Sequence, residues 1–190
     1  MASELKGLRV AFLTANEGIE QVELTEPWQT VRDAGGVPEL VAPKGGKVQA
    51  FNHLDKADTF TVHRALTEHE GEPDYDAVVL PGGVANGDAL RMSPPAVTFM
   101  RHVFEQGKPV AVICHGGWIL VEADLVRGRT MTSWPSLRTD IRNAGGNWTD
   151  TEVQVCDQGP NVLISSRNPG DLPAFNRTLT EVFARQAQPA

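Results

Sequence analysis

The strongest constraint on the fold is a series of short apolar runs, at residues 8–14, 37–42, 77–80 and 110–113, separated by segments of helical periodicity. Runs that are apolar throughout, with no polar alternation, are strands buried on both faces. Such strands occur in mostly parallel sheets covered by helices on either side. The intervening segments supply those helices. Residues 22–34 carry Leu24, Trp28 and Val31 at helical spacing and stop at Gly35-Gly36, with Pro27 expected in the first turn, where its missing N–H costs nothing. Further helices are expected over 94–105, 116–124 and 135–144, and a last one opens at Asn168-Pro169 and runs to Gln186. Residues 43–73 are polar and irregular and read as an insertion holding a short hairpin, 48–51 with 59–62. A strand is expected near 130–133, and a late antiparallel hairpin pairs 152–156 with 161–165. The expected class is α/β, and ligands in such sheets bind at the carboxyl ends of the strands.

The 190 residues suffice for one domain, 1–190, with a full hydrophobic core. A net charge of −7 and the lack of any basic run argue against a nucleic-acid partner. No apolar stretch has the length of a membrane span, and the start of the chain lacks the pattern of a secretory signal, so a cytoplasmic protein without a membrane partner is expected. Two cysteines, Cys114 and Cys156, are too few and too far apart for a disulfide framework. His53, His63, His69 and His102 have no metal-ligand spacing, and neither metal nor cofactor is expected.

The chemistry concentrates at Ile113-Cys114-His115-Gly116-Gly117, where a cysteine stands between a strand and a helix with no spacer. This is the backbone situation of a nucleophile elbow. The turn exposes the sulfur, the helix start favours negative charge, and backbone N–H groups can hold an oxyanion. Most free cysteines are small buried hydrophobes, and Cys156, in mid-strand, is read that way. His115 is the candidate base, and Asp88, after Pro81-Gly82-Gly83, has the chemistry to orient its imidazole. Glu17, Glu20 and Glu23 form an acidic helix start, and any of them beside the sulfur would be held protonated, able to donate a hydrogen bond to it.

The segments Phe12-Leu13-Thr14-Ala15-Asn16-Glu17, Glu20-Gln21-Val22-Glu23-Leu24, Leu80-Pro81-Gly82-Gly83 and Val112-Ile113-Cys114-His115-Gly116 together resemble the PfpI-type intracellular proteases. These belong to the class I glutamine amidotransferase-like, parkinsonism-associated deglycase superfamily, and the similarity runs over nearly the whole chain. The resemblance implies a flavodoxin-like three-layer sandwich with Cys114 as nucleophile, His115 as base, Glu20 as the protonated carboxyl beside the sulfur and Asp88 completing a triad. It places oxyanion donors around Gly83, His115 and Gly116. It also implies a homodimer whose site lies at the interface, with Asp88 supplied by the second subunit, and leaves open whether dimers assemble into hexamers. Asp88 stands where some members carry Glu, and the loop around Gly18 is one residue longer than in some, which is why Glu20 rather than Glu17 is aligned to the sulfur.

Two functions from different classes follow. One is a stress-related cysteine hydrolase acting on peptides or on adducts of reactive carbonyls with proteins, with Trp118 and Trp134 as pocket walls. The other is a non-enzymatic oxidative-stress sensor in which Cys114 is oxidised to sulfenic or sulfinic acid. Hydrolysis requires His115, whereas oxidation tolerates its loss.

Overall fold

The computed structural model describes residues 4–67 and 74–186; His69 and the end of the expected insertion lie outside them. In chain order, β1 (Arg9–Leu13) and β2 (Glu17–Glu20) lead into α1 (Gln21–Asp33), followed by β3 (Val37–Ala42), β4 (Lys47–Asn52), β5 (Asp55–Thr61) and β6 (Arg64–Ala65). Then come β7 (Ala77–Leu80), α2 (Val84–Arg91), α3 (Pro94–Glu105), β8 (Val110–Ile113) and, after one 3₁₀ turn, α4 (Trp118–Glu122). The remainder is β9 (Thr130–Met131), α5 (Arg138–Asn143), β10 (Asn147–Trp148), β11 (Val153–Cys156), β12 (Leu163–Ser166) and α6 (Leu172–Gln186).

The main sheet has the order β11-β12-β8-β7-β1-β3-β6, parallel throughout except for β11 against β12. Its five long parallel strands, numbered as they follow in the chain, lie in the order 2-1-3-4-5. This is the flavodoxin-like arrangement, and it places the topological switch point between β1 and β7.

Residues of each strand alternate between two cores. Ala11, Leu13, Val78, Leu80, Val110 and Val112 pack with α3 and α4 on one face. Val10, Phe12, Ala77, Val79, Ala111 and Ile113 pack with α1 and α6 on the other. Both faces are therefore dry, as the unbroken apolar runs require. A second sheet, β2-β4-β5, rises beside the switch point and contains the expected insertion hairpin.

The structure corrects several local expectations. Pro27 lies inside α1 rather than in its first turn, so the helix loses the hydrogen bond its N–H would have given. Residues 17–20 form a strand, held parallel to β4, where a loop was expected. The segment 84–91, also read as loop, is α2. The short β9 pairs with β10 outside the main sheet. The expected helices at 116–124 and 135–144 are each shorter, preceded by a 3₁₀ turn.

Candidate active site

The carboxyl ends of β1, β7 and β8 open at the switch point into a cavity of about 620 Å³, whose walls include Glu23, Cys114, His115, Trp118 and Trp134. β8 delivers Cys114 to this rim, and the chain turns at once into the 3₁₀ segment Cys114–Gly117. Cys114 has φ +61°, a left-handed conformation that costs a non-glycine residue about 1–3 kcal/mol. The Trp134 N–H donates to the Cys114 carbonyl at 3.3 Å and helps fix the turn. Gly116 is required next to it, since a Cβ there would stand 2.7 Å from the Leu80 carbonyl oxygen and 2.8 Å from that of Pro81. The abrupt elbow and the close approach of β7 are thus one feature.

The carboxyl beside the sulfur is Glu23, not Glu20. Glu23 is completely buried in the first turn of α1, and its Oε2 accepts the Gly82 N–H at 2.8 Å. Its side chain also hydrogen-bonds with that of Cys114. Burial is the main force on this group and raises its pKa to about 8 against the opposing Gly82 N–H; the Glu20 charge adds to the rise, and the Cys114 side chain opposes it. Glu23 therefore carries a proton at neutral pH. Glu20 ends β2 instead, and its Oε2 accepts the His53 backbone N–H at 3.1 Å. Because residues 17–20 are taken up by β2, the first buried side chain of α1 is Glu23. A signal for it existed: Glu23, Pro27 and Val31 fall at i, i+4 and i+8 and are all buried.

Burial also raises the Cys114 thiol, and an ionised Glu23 would raise it further, while the N–H groups of Gly83 and His115 act in the other direction. At this depth desolvation outweighs the two amide donors, so the turn by itself does not ionise the thiol. The proton must be taken as the sulfur reacts. His115 is placed for that: its Nδ1 is 3.2 Å from Sγ, and burial lowers its pKa to about 4, leaving a neutral imidazole at neutral pH.

His115 is fixed from three sides. Trp134 stacks on it at 5.6 Å and 27°, and Trp118 packs at 5.1 Å. Its Nε2 lies 3.3 Å from Oγ of Ser136. The Trp118 indole N–H in turn donates to Asp140 at 2.8 Å. Asp88 is exposed on α2 at the cavity mouth, and within one chain Ser136, not Asp88, meets the imidazole. Gly87 occupies the α2 position against His115, where a Cβ would collide with the His115 carbonyl oxygen. Of the expected oxyanion groups, Gly83 and His115 direct N–H groups at the sulfur, while Gly116 packs on the end of β7.

Asn86 and Ser136 were not singled out from the sequence, and Glu23 was one of three acidic candidates of which Glu20 was preferred. Asn86 is buried, accepts the Ala15 N–H at 2.7 Å and donates to the Pro81 and Gly82 carbonyls at 3.0 Å, which ties the β1 end to the loop below the sulfur.

The chain has counterparts among known proteins. The DJ-1/PfpI family matches residues 8–182. The chain belongs to that family. It is 38% identical over 177 residues to the deglycase PfpI of Pyrococcus furiosus, covering 93% of this chain and 99% of the relative. It is 36% identical over 169 residues to the protein/nucleic acid deglycase 2 of Escherichia coli, covering 89% and 94%. Among solved structures, a two-domain protein from Anabaena variabilis with DJ-1/ThiJ/PfpI-like and ferritin-like domains superposes with a TM-score of 0.82 at 31% identity, over 92% of this chain and 47% of that one. Among the described residues of this DJ-1/PfpI chain, no group of three His, Cys, Asp or Glu is arranged to hold a metal ion, and no helix is long and apolar enough to cross a membrane.

Proposed function

We propose that the protein is a cysteine hydrolase of the PfpI type, acting on adducts of small reactive carbonyls with amines or thiols. The observation that carries this reading is Cys114 on its left-handed elbow, 3.2 Å from the neutral imidazole of His115 and beside the protonated Glu23. Relatives named deglycases across most of the chain support it. A cavity of about 620 Å³ suits a modified side chain better than a long run of extended peptide.

In this reading His115 Nδ1 takes the thiol proton and passes it to the departing amine or thiol, while Sγ bonds to the carbinol carbon that carried that group. The N–H groups of Gly83 and His115 receive the developing oxyanion, where preorganised donors are most effective. A proton then moves from that carbinol carbon to the neighbouring keto carbon through an enediol, which turns the thiohemiacetal into a 2-hydroxyacyl thioester, and water hydrolyses the thioester to the hydroxy acid and the free Cys114 thiol. Glu23 holds its proton through the cycle and offers it as a hydrogen bond to whichever atom is negative.

The protonated Glu23 also favours a second reading, oxidative-stress sensing, since the same carboxyl would hydrogen-bond an oxygen of a Cys114 sulfinate. The two separate on one comparison, wild type against Cys114→Ser and His115→Ala, with a methylglyoxal adduct as substrate and mass spectrometry after mild peroxide. Hydrolysis predicts that both variants lose turnover. Turnover unaffected by His115→Ala refutes the hydrolase reading, and oxidation of Cys114 that persists in His115→Ala supports the sensor.

We also propose that a second copy covers the cavity mouth as a homodimer. Leu54 is 94% exposed, Val84 57% and Trp134 40%, and all three apolar side chains line that mouth. Light scattering that gives a strict monomer overturns this.

A further inference from the structure

Residues 81–83 join β7 to α2 beneath the sulfur, and each polar backbone group in them is engaged. The Pro81 carbonyl accepts from Asn86 Nδ2 at 3.0 Å. The Gly82 carbonyl accepts from the same nitrogen at 3.0 Å and from the Glu20 N–H at 3.2 Å. The Gly82 N–H donates to Glu23 at 2.8 Å, and the Gly83 carbonyl accepts the Gly87 N–H at 3.0 Å. The Gly83 N–H is turned to the Cys114 sulfur.

The Gly82 carbonyl and the Gly83 N–H belong to one peptide unit, which is planar and trans, so they point in opposite directions. A glycine on either side leaves that unit free to turn over, because glycine accepts both signs of φ. Gly83 has φ +96°, and a Cβ on it would stand 2.2 Å from the Gly18 carbonyl oxygen. The orientation of the peptide is therefore chosen by what grips its carbonyl oxygen. Asn86 is fully buried, and its Oδ1 is itself anchored by the Ala15 N–H at 2.7 Å, beyond the end of β1. With Gly87 it puts two poor helix formers side by side inside α2, a local cost that its tertiary bonds offset.

We propose that Asn86 is a positioning residue for the oxyanion site: by gripping the Gly82 carbonyl it locks the Gly82–Gly83 peptide with its N–H toward Cys114. In the flipped form a carbonyl oxygen would face the sulfur and repel the negative charge that the donor is there to receive. Asn86 touches neither substrate nor sulfur in this role, which rests on the hydrolase reading for its effect on turnover. Losing an oxyanion donor outright costs about 10²–10³ in kcat. The Glu20 N–H still holds the same carbonyl when Asn86 is replaced, so the expected loss is smaller, about tenfold.

Two variants of the full-length protein test this. Asn86→Ala removes both donors, and Asn86→Asp keeps the side-chain volume and the acceptor for Ala15 while retaining at most one donor. With a methylglyoxal adduct as substrate, each should lower kcat, by about tenfold in Asn86→Ala, with KM within about twofold of wild type, since the donor acts on charge that develops in the transition state. Iodoacetamide labelling of Cys114 at pH 8, read by peptide mass spectrometry to separate it from Cys156, should slow about fivefold in Asn86→Ala, because the thiolate loses a charge-assisted hydrogen bond. A merely structural role predicts the opposite, a loosened loop that leaves the sulfur more open. Labelling that is unchanged or faster in folded Asn86 variants overturns the proposal. Amide exchange of Gly83 in wild type and Cys114→Ala tests the same bond without altering Asn86: faster exchange in the variant is expected, and equal exchange overturns the proposal. No turnover by the wild type overturns the hydrolase reading, while the labelling still decides whether Asn86 aims the Gly83 N–H.

Discussion

Replacing Glu23 by glutamine isolates the energetic consequence of a carboxyl group buried beside a thiol. The glutamine amide keeps an oxygen for the Gly82 N–H and removes only the ionisation. In the folded protein Glu23 binds its proton up to about 8, against 4.5 for the free side chain. Between those values the folded state holds a proton that the unfolded chain has released, so stability falls as pH rises through the window. Below the lower value the group has no effect. Above the upper value the full cost is present, on the order of 5 kcal/mol for a shift of this size, about 1.4 kcal/mol per pH unit. His115 acts in the opposite sense, because its lowered value costs stability as pH falls below its ordinary range. Subtracting wild type from variant cancels that contribution.

Urea unfolding of wild type and Glu23→Gln at pH 4.5, 6 and 8 reads the difference directly. The variant should gain steadily on the wild type with rising pH, by at least about 2 kcal/mol over the range even after generous allowance for relaxation around the charge. Parallel pH dependences for the two proteins would show that Glu23 titrates normally. The proton assigned to it beside Cys114 would then be absent at neutral pH.

The His115–Ser136 contact predicts that Ser136→Ala lowers kcat/KM about two- to tenfold, the range for one neutral hydrogen bond, and shifts the pH profile, with Ser136→Thr restoring much of the loss. An unchanged profile in Ser136→Ala would leave His115 held by the two tryptophans alone. At the other cysteine, burial raises the Cys156 thiol, but the Arg129 side chain and the Thr130 N–H, each 3.4 Å from the sulfur, together bring it below its ordinary value. In a Cys114→Ser background, thiolate absorbance should therefore titrate below the usual thiol range, and Arg129→Met should move it above. A midpoint indifferent to Arg129 would refute that pairing.

The layered architecture was legible because it is written in short-range patterns. Four apolar residues at Ala77–Leu80 or Val110–Ile113 have no hydrophilic face to show water, and only a sheet covered on both sides accepts them. The elbow was legible for the same reason, since Ile113, Cys114 and Gly116 are neighbours in the chain. α2 was not, because Val84-Ala85-Asn86-Gly87-Asp88 has a weak helical pattern and is held by the bonds of Asn86 to Ala15, Pro81 and Gly82. The strand at 17–20 was missed likewise, since its partner β4 is supplied from the insertion.

By itself the sequence determined that a cysteine would stand at the carboxyl edge of a parallel sheet with a histidine next to it. Only the tertiary structure decided what surrounds that pair: Glu23 instead of Glu20 at the sulfur, Ser136 at the imidazole within one chain, and burial that opposes ionisation of the thiol. The reason is range. Strand and turn preferences act between residues a few positions apart, whereas the face of α1 that meets the sulfur, and the loop that meets the imidazole, are set by how separate elements pack.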